Sequence, residues 1–246
     1  MKIFVDTANL ADIEEALKRG FVSGITTNPS ILAKEPKSGL ENHVGKIVDL
    51  IKKYDPSGNL PLSIEVFSRN QEEMIAQAVK FKESFGYPGL CVKVHVGWDE
   101  LAVINDLSHQ GIDVNCTAVM TVTQAIMAAQ AGARYVSLFW GRIGDAGKDE
   151  KFASDREKMF ADKTIDDSDF NPAIAVRRTR DLLDKSNLTT EIIVGSIRNV
   201  VSIRDAYLSG AHIVTIPPKF FSPMVSHYKT NEVVEMFLND FKNWLA

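Results

Sequence analysis

The chain has 246 residues, 45% of them hydrophobic, and its 28 basic and 32 acidic residues leave a net charge of −4. That composition suits one large buried core, and the interleaved charges offer no basic block for nucleic acid or for an anionic membrane surface. No run approaches the ~18 apolar residues of a membrane span, and the opening MKIFVDTANL is too short and too polar for a signal peptide.

Short β-branched runs recur at 2–5, 22–25, 62–66, 90–96, 112–119, 134–139, 191–195 and 212–216. Between them, apolar residues return every three to four positions, as over 9–20, 70–86, 99–111 and 121–132, the period of amphipathic helices. Eight strands interleaved with helices predict parallel βαβ units. Right-handed crossovers then close them into an α/β fold, a (β/α)8 TIM barrel of one domain over residues 1–246. Gly20, Gly111, Gly132 and Gly210 stand just past helical patterns, where a left-handed C-cap belongs. An open doubly wound sheet is the alternative, but no Gly-x-Gly-x-x-Gly follows the first strand.

Two segments break the rhythm. Residues 143–171 hold nine acidic and five basic residues and follow the sixth strand. They predict an insertion on the active-site face, with a short helix around 151–162. Residues 231–246 predict a C-terminal amphipathic helix with Val233, Val234, Phe237, Phe241 and Trp244 on one side, packed on its own barrel or on a neighbouring subunit. Cys91 and Cys116 sit in apolar runs and read as reduced core residues of a cytoplasmic protein. Neither has a second Cys or His at ligand spacing, so no metal site is expected.

In such barrels, reactive side chains project from the C-terminal ends of the strands. Asp6 closes the first run, the 26-TTNPS-30 turn follows the second, and Glu65 lies late in the third. Lys93 lies in the fourth, Asn115 and Thr117 in the fifth. Ser137 ends the sixth with Arg142 beyond it, and Ser196 and Arg198 follow the seventh. The eighth run supplies no polar residue to this set. Lys93 is the sharpest signal, because it interrupts the apolar run 90–96. A strand covered on both faces must pair a lysine or strip its proton. A neutral amine attacks carbonyls to give a Schiff base. A structural lysine bonded to Glu65 or Asp6 is the other reading. Period two puts Cys91, Lys93 and His95 on one face, with His95 nearer the mouth, touching substrate, modulating the lysine or bonded to a carbonyl. Asp6 and Glu65 can make the proton transfers of imine chemistry. Arg142, Ser196, Arg198 and the amides that open the next helix match the oxygens and charge of a phosphate, and surface arginines in salt bridges are the other reading.

Asp6-Thr7, Thr26-Thr27-Asn28-Pro29-Ser30, Ile64-Glu65-Val66, Val92-Lys93-Val94, Asn115-Cys116-Thr117, 137-SLFWGR-142 and Gly195-Ser196-Ile197-Arg198 resemble the transaldolase family, in the family's order, from residue 1 to about 245. The resemblance implies a transaldolase that moves a dihydroxyacetone unit from a ketose phosphate to an aldose phosphate, without metal or organic cofactor. It implies a Schiff base on Lys93, proton handling by Asp6, and a water held by Glu65 and Thr117. Asn28, Asn115 and Ser137 would bind the three-carbon unit, Thr27 and Phe139 would line the substrate site, and Arg142, Ser196 and Arg198 would hold phosphate. A homo-oligomer, pentamer or decamer, is also implied. A close relative, fructose-6-phosphate aldolase, has Gln in place of Glu65 and Tyr in place of Phe139, and both positions favour transfer here. The sequence departs from the family at His95, where Pro is usual. It also departs at 97-GWDE-100, at Leu138, at Trp140 and in the length of 143–171. All lie at the mouth and bear on the acceptor sugar. An aldolase of the same fold, a transaldolase for a divergent sugar and a catalytically silent phosphosugar-binding barrel stay open.

Overall fold

The computed structural model describes residues 1–37 and 39–245. Eight strands, β1 (Lys2–Asp6), β2 (Val22–Thr26), β3 (Leu62–Glu65), β4 (Leu90–His95), β5 (Asp113–Val119), β6 (Tyr135–Phe139), β7 (Glu191–Gly195) and β8 (Ile213–Ile216), pair in chain order and close into a barrel. The pairs are parallel, and closure sets Phe4 of β1 opposite Thr215 of β8. The expected (β/α)8 TIM barrel is the architecture found. Val, Ile and Leu dominate the strands because both faces are covered, one by helices and one by the barrel interior. In β4 this leaves five of six residues buried, Lys93 among them.

Helices α1 (Leu10–Lys18), α2 (Pro29–Leu32), α3 (Leu40–Tyr54), α4 (Gln71–Phe85), α5 (Trp98–His109) and α6 (Val122–Gln130) follow the first five strands. Helices α7 (Trp140–Ala146), α8 (Ala153–Ala161), α9 (Pro172–Lys185), α10 (Val200–Leu208), α11 (Phe221–Val225) and α12 (Tyr228–Leu245) follow the rest. Five begin on an asparagine, Asn9, Asn28, Asn70, Asn171 or Asn199, whose side chain accepts from backbone N–H groups of the first turn. Each such cap stabilises its helix by about 1 kcal/mol and fixes where the βα loop ends. Gly20, Gly111, Gly132 and Gly210 take positive φ past α1, α5, α6 and α10, as expected.

The main core lies between helices and strands, around Ile13, Ile47, Ile64, Met74, Val92 and Ile104. A second cluster, Phe4, Cys91, Tyr135, Ile193 and Ile213, fills the barrel interior. The Phe4 and Tyr135 rings meet edge to face at 6.2 Å. Phe4 fits because β2 carries Gly24, where a Cβ would lie 2.4 Å from its ring.

Residues 143–171 fold after β6. Helix α7 runs into them, 3₁₀ turns cover Glu150–Phe152 and Asp167–Phe170, and α8 is the expected short helix. Arg156 ties the segment together by donating to the carbonyls of Ala146 and Asp149. Helix α12 matches the expected tail helix, apart from Ala246, which lies outside the described residues. It buries no residue. The alternative that its apolar side packs on its own barrel is therefore corrected: Phe237, Phe241 and Trp244 are 61%, 58% and 78% exposed.

Candidate active site

A cavity of about 800 Å³ opens at the C-terminal ends of the strands. Lys93 lies on its wall with only 5% of its surface exposed. β3 and β4 run in register with Glu65 opposite Lys93, so the two side chains enter the barrel together. Lys93 Nζ donates to Glu65 Oε2 at 3.0 Å and to the carbonyl of Thr27 at 2.9 Å. This pairing makes a buried ammonium tolerable, and it leaves the amine within reach of a carboxylate that can accept its proton.

Asp6 also lines the cavity. Burial pushes its carboxyl above the ordinary value of 3.8, opposed by the charge of Lys93 and a hydrogen bond from Thr26. Thr26 Oγ1 donates to Asp6 Oδ1 at 2.9 Å and meets the hydroxyl of Thr215 on β8. Thr215 is buried and lines the cavity, so the expectation that β8 contributes nothing polar is corrected. The signal was the lone threonine inside an Ile/Val strand.

On the facing wall, the β5–β6 register shifts between Cys116 and Val119, and Ala118 takes a left-handed φ of 61°. Such a bulge re-aims its neighbours. Thr117 lines the cavity and is 2% exposed, and its hydroxyl has no hydrogen-bond partner. A buried hydroxyl without a partner fits a site for water or substrate.

Asn28, Ser137, Phe139, Arg142 and Ser196 line the same cavity. Asn28 Oδ1 is committed to the amide of Ile31. Ser137 lies in mid-strand and donates to Asn115 Oδ1 at 2.7 Å. Asn115 is fully buried, gives its Nδ2 to Ser63 Oγ at 3.3 Å, and is not on the cavity wall. Thr27 is likewise fully buried, and its hydroxyl donates to the carbonyl of Ser63. Its contribution to the site is therefore the carbonyl that receives Lys93. Ser196 holds a left-handed φ of 57°, the turn that carries the chain out of β7 over the cavity. Arg198 is not on the wall: its Nη2 bonds Asp145 Oδ2 at 2.8 Å. His95 is also off the wall, with Nε2 2.8 Å from Glu100 Oε1 on α5, so its partner is a carboxylate rather than a carbonyl. Lys34 and Lys219, unmarked by the sequence reading, stand at the rim. Among the described residues no group of three His, Cys, Asp or Glu could hold a metal ion.

A closed parallel barrel whose C-terminal mouth opens into a cavity lined by a lysine and two carboxylates is the arrangement of the TIM-barrel class. The Transaldolase/Fructose-6-phosphate aldolase family matches residues 3–245, and the chain belongs to that family. It is 34% identical to a "Probable transaldolase" of Alkaliphilus metalliredigens over 98% of both chains. It is 35% identical to that of Thermoplasma volcanium, over 98% of this chain and 96% of the other. The same identity relates it to that of Oceanobacillus iheyensis, over 99% of both. Among solved structures, a thiamine phosphate pyrophosphorylase from Pyrococcus furiosus aligns with a TM-score of 0.54 at 12% identity, covering 88% of this chain and 85% of the other. That likeness concerns the barrel alone.

Proposed function

We propose that the protein is a transaldolase that carries a dihydroxyacetone unit on Lys93 from a ketose phosphate to an aldose phosphate. The observation that carries this reading is the buried Lys93 amine on the cavity wall, 3.0 Å from Glu65. Lys93 passes a proton toward Glu65 and its neutral amine adds to the C2 carbonyl of the ketose. Glu65 and the partnerless Thr117 hydroxyl hold a water that moves protons as the carbinolamine loses water to form an iminium ion. The Asp6 carboxylate takes the C4 hydroxyl proton. The C3–C4 bond then breaks and its electron pair flows to the iminium nitrogen, leaving an enamine as the shortened aldose phosphate departs. An acceptor aldehyde reverses these steps, with Asp6 returning the proton to the new alkoxide, and water releases the product ketose.

Asn28 and Ser137 position the three-carbon unit, with Asn115 holding Ser137 from behind. Arg142, Ser196 and Arg198 receive the phosphate. Phe139 offers no hydroxyl with which to protonate and release the bound fragment, which favours transfer over aldol cleavage. The cytoplasm is the proposed compartment. Its two cysteines, Cys91 and Cys116, are free and buried, as suits a reducing environment. The assembly we propose is a homo-oligomer, a ring of five or ten, in which the exposed apolar side of α12 is covered by another subunit.

Borohydride reduction with fructose 6-phosphate tests the chemistry. We expect a three-carbon adduct on Lys93, absent in Lys93→Ala, and sugar product only when an aldose phosphate is added. Absence of an adduct in the unaltered protein overturns the reading. Free dihydroxyacetone without acceptor replaces it with the aldolase.

A further inference from the structure

The proposed phosphate site calls on two guanidiniums, yet only one of them faces the cavity. Arg142 lines it. Arg198 instead lies along α7. A Cβ placed on Gly141 would sit 2.4 Å from Arg198 Nε and 2.6 Å from the carbonyl of Ser196, so the arginine stem crosses the helix where there is no side chain. The amide of Gly141 donates to that same Ser196 carbonyl at 3.1 Å, which fixes the β7–α10 loop against α7. One helical turn beyond Gly141, Asp145 Oδ2 receives Arg198 Nη2 at 2.8 Å. The two side chains are 57% and 68% exposed.

We infer that Asp145 is a competitor for the substrate's phosphate. It draws Arg198 away from the cavity and surrenders it to a phosphosugar that enters. The inference rests on the proposed reading of Arg198 as a phosphate ligand. A carboxylate and a phosphate present similar paired oxygens to the guanidinium fork, and the phosphate carries more charge, so the exchange runs toward substrate. Since both partners are exposed, the pair opposes substrate only weakly. Its effect is to hold phosphosugar affinity down and let each phosphorylated product leave, with the chemistry on Lys93 untouched. Asp145 is thus a positioning residue acting through Arg198, and Gly141 is the track that lets Arg198 reach it.

The test compares the full-length protein with Asp145→Asn, Arg198→Ala and the double variant, using fructose 6-phosphate as donor and unphosphorylated fructose as control. We expect Asp145→Asn to lower KM for fructose 6-phosphate about two- to fivefold, to leave kcat within about twofold, and to leave KM for fructose unchanged. In the Arg198→Ala background the same substitution has no effect. An unchanged or raised KM in Asp145→Asn overturns the inference, because Asp145 then orients Arg198 or does nothing to it. An equal gain in the Arg198→Ala background also overturns it, as a general charge effect. If Arg198→Ala leaves the KM ratio of fructose 6-phosphate to fructose unchanged, the phosphate role of Arg198 fails and the inference falls with it. A raised ratio with no gain from Asp145→Asn condemns the inference alone.

Discussion

Replacing Thr26 by valine keeps the shape of the side chain and removes the hydroxyl that donates to Asp6 Oδ1 at 2.9 Å. Burial already holds the Asp6 carboxyl above 3.8, while the Lys93 charge and the Thr26 bond pull it back. Without the bond, the carboxyl rises further. Hydrogen bonds to charged groups contribute about 1.5–3 kcal/mol. The Thr26 hydroxyl is shared with Thr215, so the low end applies. That is about a tenfold gain in proton affinity, at about 1.36 kcal/mol per pKa unit. On the proposed mechanism Asp6 must be ionised to take the C4 proton, so the acid limb of kcat/KM should move up by about one pH unit in Thr26→Val. Stability carries the opposite sign from a salt-bridged aspartate. Folded Asp6 holds its proton more firmly than unfolded Asp6, so this contribution is complete below pH 3.8 and is lost as pH rises through the folded value. In Thr26→Val the loss extends to higher pH. The measurements are the pH profile of kcat/KM and ¹³C carboxyl NMR of labelled aspartate, which reads Asp6 without turnover. An acid limb that stays in place or moves down refutes the assignment of that limb to Asp6 under Thr26 control.

Lys93→Met strands Glu65, which keeps 19% exposure to the cavity, so the cost should fall below the usual 3–5 kcal/mol for breaking a buried pair, at about 2–3 kcal/mol. Adding Glu65→Gln should restore most of it in urea unfolding, and a double variant no more stable than Lys93→Met rejects the pairing argument. Ser196→Val should destabilise by about 1–2 kcal/mol, because a β-branched residue resists a left-handed φ, whereas Ser196→Gly should be near neutral. Equal stability of the two variants shows that the turn is not constrained. Phe237→Asp with Phe241→Asp should reduce the sedimenting mass to that of one chain of 27.3 kDa, and an unchanged mass locates the assembly contacts elsewhere.

The barrel was readable because each strand is apolar on both faces and each connection is long enough for a crossover helix. The rule that polar side chains at the C-terminal strand ends face the mouth also picked out Asp6, Glu65, Lys93 and Thr117, which line the cavity. What periodicity leaves open is where a polar side chain spends its hydrogen bonds once inside. Asn115 and Thr27 point at Ser63 rather than at open space, and that choice depends on β3, which lies 52 and 36 residues away in the chain. His95 turned to Glu100, a residue of the next helix. Arg198 was legible as a cation near β7, but its direction is set by Asp145, on an element contributed by β6. Thr215 was overlooked because a threonine in a β-branched strand satisfies strand propensity and needs no further account.

Phe4, Cys91, Tyr135, Ile193 and Ile213 close the barrel below Lys93. With that end filled, both sugars of the proposed reaction share the mouth at the C-terminal ends of the strands. On the proposed chemistry, the first aldose has to back out before the second can come in, since the three-carbon fragment stays bonded to the wall behind it. Double-reciprocal initial-rate plots against donor at several acceptor concentrations should therefore be parallel lines, the signature of a substituted-enzyme, ping-pong order. On that chemistry, the plug of aromatic and branched side chains makes the two sugars take turns at one mouth without touching either of them.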